Sequence, residues 1–284
     1  MNRGIKPSCG GIIIVPTVSA SSAPRPLNVS LAKANPARVE QSTTPTVTEV
    51  DTMSELISAL PMSACSSTEC TLAVSRPPGS KEGGTLLSSE LERVAAFDTA
   101  FHATLGPEAF TYAVPTAWHL RRYGFHGLSV AYAISRIESL TGARSSRALV
   151  LHLGSGASIT AALAGRSLDT TMGMTPVEGL VMGTRPGSVD PGALVRLMRG
   201  GLSLDELGEG LEHGGGLRAL GGTSDMHELS RRASQGDERA RFARAQFVRS
   251  AAKHAASMLH VLGGLDALVF TGGIGENDVE VRAG

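Results

Sequence analysis

Hydrophobic positions follow two regimes along this chain. From about Arg93 onward they recur in short runs and at regular spacing, as in a packed α/β protein. Across residues 16–80 they do not, and Ser, Thr and Pro fill 28 of 65 positions. So little apolar surface cannot offset the entropy of ordering the chain, so residues 1–90 are expected to be loosely ordered. The exceptions are a short helix over residues 53–60, where Met53, Leu56, Ile57 and Leu60 share a face, and a strand at Ile12-Ile13-Ile14-Val15.

Further on, the pattern predicts particular elements. Residues 93–97 read as a short apolar strand leading into Asp98. Residues 148–153 and 158–164 read as two strands joined by Gly154-Ser155-Gly156, a hairpin, with a third antiparallel strand over 166–172. Pro191 opens a helix that ends at Gly200-Gly201, and a short helix follows over 203–208. A long helix spans 237–262, with Phe242, Ala245, Val248, Ala252, Ala255 and Leu259 along one side, and Gly263-Gly264 stops it. Residues 266–271 are a buried strand, after which Gly272 to Asn277 turn into a helix. Such an order gives a mixed sheet covered by helices.

Composition narrows the function classes. Hydrophobic residues make up 42% and charged residues 18%, and 26 basic side chains cancel 26 acidic ones. That balance gives no electrostatic reason to propose nucleic acid or an anionic membrane as a partner. No apolar run approaches the roughly 20 residues that cross a bilayer. Arg3 and Lys6 before residues 10–15, with Ser19-Ala20 behind, trace a faint signal-peptide outline, but the run is short and Pro16 interrupts it. Three cysteines, Cys9, Cys65 and Cys70, show neither a disulfide framework nor zinc spacing. Six arginines between Arg231 and Arg249 spread around a helix and read as a solvated face.

The chemistry concentrates in a few segments. His152-Leu153-Gly154-Ser155-Gly156 is a glycine turn between strands, where backbone N–H groups can converge on a phosphate oxygen. Gly273, Ile274, Gly275, Glu276 and Asn277 follow a strand and open a helix, a place that suits an anion or nucleotide. Each alone is more often a tight turn. His126 sits in Gly124-Phe125-His126-Gly127 with Arg121 and Arg122 just upstream. Arg185 is held in a Gly/Pro loop before Pro191, where its planar fork suits an oxyanion, although a surface arginine capping a carbonyl is the plainer reading. Asp98 ends a strand, which places it either at a cleft or as the N-cap of the segment that follows.

In combination, AAFDTAFH, RRYGFHGLS, LHLGSGASITA, SLDTTMGMTPVEGLVMGTRPGSVDPG, GGTSDMHEL and VFTGGIGEN resemble the acetate kinase family, in its order, over about residues 93–284. The resemblance implies ribonuclease H-like domains of the actin, heat-shock ATPase and sugar kinase superfamily. Residues 91–146 would be a remnant of the first kinase domain and residues 147–284 the second, nucleotide-binding one, itself incomplete. It implies reversible phosphoryl transfer from ATP to acetate, giving acetyl phosphate and ADP with Mg2+, in a cytoplasmic homodimer. By motif, Asp98 matches the catalytic aspartate, and His126 and Arg185 match the pair that steadies the phosphoryl group. His152 to Gly156, with Asp225, Met226, His227 and Gly273 to Asn277, match the nucleotide segments. Phe125 and Pro176 match the pocket for the acyl methyl group.

Departures from the family pattern set further expectations. The Asn-x-Gly-Ser-Ser-Ser-x-Lys turn that follows the family's first strand is not carried by residues 16–25, and its upstream arginine segment has no counterpart before Asp98. The family continues beyond GGIGEN to a metal-associated glutamate, so the chain is expected to be truncated at both ends and names no metal ligand. Ser155 stands where the family has Asn, and His227 where it has Arg. A nucleotide-binding remnant without turnover therefore stands beside the kinase reading, and the acceptor is open among acetate, propionate and butyrate.

Overall fold

The computed structural model describes residues 13–16, 96–142 and 146–284. The expected helix over 53–60 and most of the expected strand over 93–97 lie outside the described residues. Ala96 and Phe97 themselves are not in a strand.

Five strands form one sheet in the order β1-β5-β2-β3-β4. They are β1 (Ile13–Pro16), β2 (Arg147–Leu153), β3 (Ala157–Leu163), β4 (Arg166–Thr170) and β5 (Ala267–Thr271). The expected hairpin is present: β2 pairs antiparallel with β3, with Leu153 opposite Ala157, and β3 pairs antiparallel with β4. β5 returns parallel to β2, and β1 closes the edge antiparallel to β5.

β2 is buried on both faces, and strand periodicity divides its side chains between two cores. Leu149, Leu151 and Leu153 join one cluster, while Ala148 and Val150 join the other. On the second face lies α2 (Gly127–Thr141), preceded by the short α1 (Pro107–Phe110). Val130, Ala133, Ile134 and Ile137 of α2 recur at helical spacing and pack on Ala148, Val150, Ala162, Ala267 and Val269. No helix was expected over Gly127–Thr141, although this stripe was present in the sequence.

The first face is covered by α5 (Gly216–Gly221), α6 (Met226–Ser234) and α7 (Glu238–Leu262). Asp237 caps α7 by accepting the N–H groups of Arg239 and Ala240, and Gly263 ends it in the left-handed conformation. The buried side of α7 differs from the expected one. Ala240, Ala243, Phe247, Ala251, Met258 and Leu262 face the core and Val248, Ala255 and Leu259 of the expected stripe pack half-buried beside them, while Phe242 is 53% exposed and Ala245 and Ala252 are exposed. Both stripes have helical spacing, so sequence period alone does not choose between them; the sheet's position does.

Between β4 and α5 lie α3 (Pro191–Arg199) and α4 (Leu204–Glu212), neither of which buries a residue. α4 runs past the expected 203–208, from a Ser203–Glu206 capping box. After β5 come α8 (Gly272–Asn277) and α9 (Val279–Ala283). Phe97 to Gly284 belong to one compact unit.

The orientation of α7 is tested by a pair of substitutions. Phe247→Ala should destabilise the fold by about 3–5 kcal/mol, because a fully buried aromatic leaves a cavity. Phe242→Ala should change it by no more than about 0.5 kcal/mol. Urea unfolding of both variants gives the comparison, and equal losses would place the wrong face in the core.

Candidate active site

Asp98 holds the amino end of α2. Its Oδ2 accepts the His126 N–H at 2.5 Å, its Oδ1 the Leu128 N–H at 3.4 Å, and its backbone carbonyl the Gly127 N–H at 2.8 Å. A carboxylate there satisfies free helix donors and meets the positive end of the dipole. Asp98 therefore caps a helix distant in sequence; the segment directly after it, a 3-10 turn at Ala100–Thr104, has no side-chain cap. Gly127 is required by this contact, since a Cβ would collide with the Asp98 carbonyl oxygen.

The same bonds hold His126 at φ 59, a left-handed conformation uncommon for a residue with a Cβ. Its ring stacks on His152, with centroids 4.1 Å apart and planes at 28°. Its Nδ1 lies 2.9 Å from Ser158 Oγ. His152 continues the Ala148–Val150 side of β2, and its Nδ1 lies 3.0 Å from Ser129 Oγ near the start of α2. Burial, then the neighbouring His152, and more weakly Arg185 and His102, pull the His126 pKa down to about 4 against the opposing Asp98 charge. Burial also lowers the pKa of His152. His126 is thus a neutral imidazole at pH 7, able to donate one N–H without carrying charge.

Arg185 reaches the same place from the loop before α3. Its Nη1 donates to the Pro176 carbonyl at 2.8 Å, and burial lowers its pKa. His126 Nε2 and Arg185 Nη2 both lie against Gly156: a Cβ there would be 3.1 Å from the first and 3.7 Å from the second. The β2–β3 turn is closed by Gly154 N–H to the Gly156 carbonyl at 3.0 Å, and Ser155 accepts the Gly183 N–H at 2.9 Å. The structure therefore brings His126, Arg185, His152 and the glycine turn together, with Asp98 behind His126.

A cleft of about 920 Å³ opens on the other side of that turn. Of the expected nucleotide residues, Gly154, Ser155, Asp225, Met226, His227, Gly273, Ile274 and Asn277 line it. Leu153 and Gly275 are buried and do not, nor do His152, Gly156 and Glu276. The Leu153 backbone supports Gly272, whose φ of +81 and closeness to the Leu153 carbonyl (2.7 Å for an added Cβ) admit only glycine. Glu276 Oε1 accepts the Gly272 N–H at 3.1 Å, and Asn277 donates to the Gly273 carbonyl at 2.9 Å. Asp225 caps α6 by accepting the His227 N–H at 2.9 Å. A second, shallower hollow of about 660 Å³ along α7, lined by Arg249 and Lys253 among others, holds none of the expected residues.

Arg244 departs from the solvated face expected for the arginine run. Its side chain is 11% exposed, it lines the cleft, and it bonds Ser230, Asp278 and Glu280. The exposed Arg231 and Arg241 pair with Glu228 and Glu238, as a solvated face would. Sequence reading also missed His102, whose buried ring lies 2.9 Å from both Ser167 Oγ and the Phe125 carbonyl. Phe125 packs half-buried against the core next to His126, and half-buried Pro176 supplies the carbonyl for Arg185.

Among the described residues, no group of three or more His, Cys, Asp or Glu gathers to hold a metal, and Asp98, the carboxylate beside His126, is engaged by backbone N–H groups. No helix among the described residues is long and apolar enough to cross a membrane.

Known proteins share this fold and much of this sequence. The sequence model of the acetokinase family matches residues 83–284. The chain is 44% identical over 219 residues to an acetate kinase of Acaryochloris marina, covering 75% of this chain and 55% of that protein. It is 49% identical over 203 residues to an acetate kinase of Deinococcus deserti, covering 68% and 51%. Among solved structures, Porphyromonas gingivalis acetate kinase superposes with a TM-score of 0.65 at 40% identity, over 67% of this chain and 50% of that one. A propionate kinase from Francisella tularensis superposes with a TM-score of 0.66 at 42% identity, over 68% and 52%. The chain spans about half the length of the curated relatives it matches. The match over most of the chain, together with the shared mixed α/β fold, shows that this protein belongs to the acetokinase family.

Proposed function

We propose that this chain carries out acetate kinase chemistry: an acetate carboxylate oxygen attacks the γ-phosphorus of ATP. One O–P bond forms, the bond from the γ-phosphorus to the bridging oxygen breaks, and ADP leaves as acetyl phosphate is made. The observation that carries this reading is the convergence of His126 Nε2 and Arg185 on Gly156, beside a cleft lined by the second glycine turn and Asp225 to His227. The acceptor is ionised at neutral pH and needs no base. Catalysis then rests on positioning and on donors aimed at the equatorial oxygens. Arg185 supplies a charged fork and His126 a neutral donor, with Asp98 fixing the His126 backbone.

In this reading residues 91–146 bring Asp98 and His126, and residues 147–284 form the nucleotide domain. ATP and ADP occupy the cleft, and Phe125 and Pro176 border the acyl group. Magnesium is a family requirement, but the described residues offer it no ligand cluster, and no step here runs through it. The 42% identity to a propionate kinase supports propionate as an alternative acceptor, since one methylene changes binding by only about 1–3 kcal/mol. We assign the protein to the cytoplasm and to a homodimer by the same analogy.

Arg185→Ala and His126→Ala should each lower acetyl hydroxamate formation from ATP, magnesium and acetate about a hundredfold, or ~3 kcal/mol, with ADP binding retained. Full activity in both variants would overturn the site. Folded wild-type protein that binds ADP without forming hydroxamate would favour the nucleotide-binding remnant. The pH profile gives a separate check. Burial holds His126 neutral until pH falls toward about 4, so kcat should show no limb near 6.5 between pH 5.5 and 8. A limb near 6.5 that vanishes in His126→Gln would mean that the imidazole works as a cation.

A further inference from the structure

Arg122 sits four residues before His126, yet its guanidinium is used elsewhere. Its Nη1 donates to three successive carbonyls, those of Thr170 at 3.2 Å, Thr171 at 3.1 Å and Met172 at 2.9 Å. Its Nη2 donates to Glu178 Oε1 at 2.7 Å. The Tyr112 hydroxyl donates to Glu178 Oε2 and accepts the Met174 N–H at 3.1 Å. Gly173 passes between these groups; a Cβ there would collide with both the Glu178 carboxylate and the Tyr112 hydroxyl. The Gly173 carbonyl accepts the N–H groups of Tyr123 at 3.1 Å and Gly124 at 3.2 Å.

The backbone over 170–174 is thus gripped at each residue, and Glu178 anchors the far end. The span left between them contains Pro176, whose carbonyl receives Arg185 Nη1. From Gly179 the chain is tied back to Ser188, beyond Arg185, by the Ser188 N–H at 3.0 Å. On the other side, Tyr123 and Gly124 lead directly to Phe125 and His126. Arg122 is only 16% exposed, and a charge that far from water needs its partner. Burial and the Glu178 carboxylate push the Tyr112 hydroxyl up to about 12, so it remains a donor at any working pH.

We propose that Tyr112, Glu178 and Arg122 are positioning residues for phosphoryl transfer: they fix the 170–178 backbone whose Pro176 carbonyl aims Arg185. The proposal deepens the acetate kinase reading and rests on it. None of the three residues lines the nucleotide cleft, so their effect should fall on the chemical step.

Glu178→Gln should lower kcat about a hundredfold, the scale of a displacement of about 1 Å in a catalytic group, and leave KM for ATP within about twofold. Tyr112→Phe keeps the ion pair and should act in the same direction by about tenfold. The decisive comparison repeats both substitutions in an Arg185→Ala background. Residues that act through Arg185 have little left to position there, so the further loss should be no more than about twofold. An equal loss in both backgrounds, or unchanged kcat in otherwise active protein, would overturn the proposal. If Glu178→Gln does not fold, Tyr112→Phe decides alone. If wild-type protein forms no acyl phosphate, the acetate kinase reading itself fails and takes the proposal with it.

Discussion

The central strand of the sheet is buried on both faces, and its alternating side chains determine where everything else lies. Leu149, Leu151 and Leu153 commit one face to α7, while Ala148 and Val150 commit the other to α2. His152 follows on the α2 side, so the strand delivers an imidazole to the amino end of that helix. At Gly154 the strand turns, and the turn separates two environments. On one side lie two stacked histidines and an arginine; on the other is the cleft lined by α6, α8 and the turn itself.

Desolvation gives this arrangement its chemical character. His126 is shut in by His152, Ser158 and the Asp98 cap, and a positive Arg185 stands nearby. Each except Asp98 disfavours a second positive charge or does nothing to stabilise one, so the ring stays neutral. Arg185 keeps the only formal positive charge of the pair, and the two donors are unlike: one charged and forked, one neutral and single. The left-handed backbone of His126 is strained for a residue with a Cβ. Three bonds from Asp98 to residues 126–128 hold it there.

Much of this was legible in the sequence. The glycine pair around Ser155, the strands on either side, the Asp237 cap and the terminating Gly263 are local signals, set by which backbone conformations and donors a residue offers. So are the family motifs, which carry Asp98, His126 and Arg185 in fixed order. The α2 stripe of Val130, Ala133, Ile134 and Ile137 was equally present, but the helix starts at a left-handed histidine without a side-chain cap of its own, so the usual local start signal is missing. Phe242 shows the opposite case: Val248, Ala255 and Leu259 of its stripe pack against the core, while Phe242 itself lies past the edge of the buried face. Arg244, grouped by composition with solvated arginines, turned inward because Ser230, Asp278 and Glu280 converge on it from two other helices.

By itself, the sequence determined the family, the strand order along the chain, the long helix and the residue types gathered around the glycine turns. Each of these depends on neighbours within a few positions or on a motif read in order. The tertiary structure alone decided that Asp98 caps a helix twenty-nine residues away in chain order (about eight turns of helix, were the gap helical), that α7 buries Phe247, and that Glu178 joins Tyr112 to Arg122. Such pairings are fixed by which surfaces the sheet leaves to be covered and which buried charges must then find partners. A chain read one residue at a time does not contain that information in any local pattern.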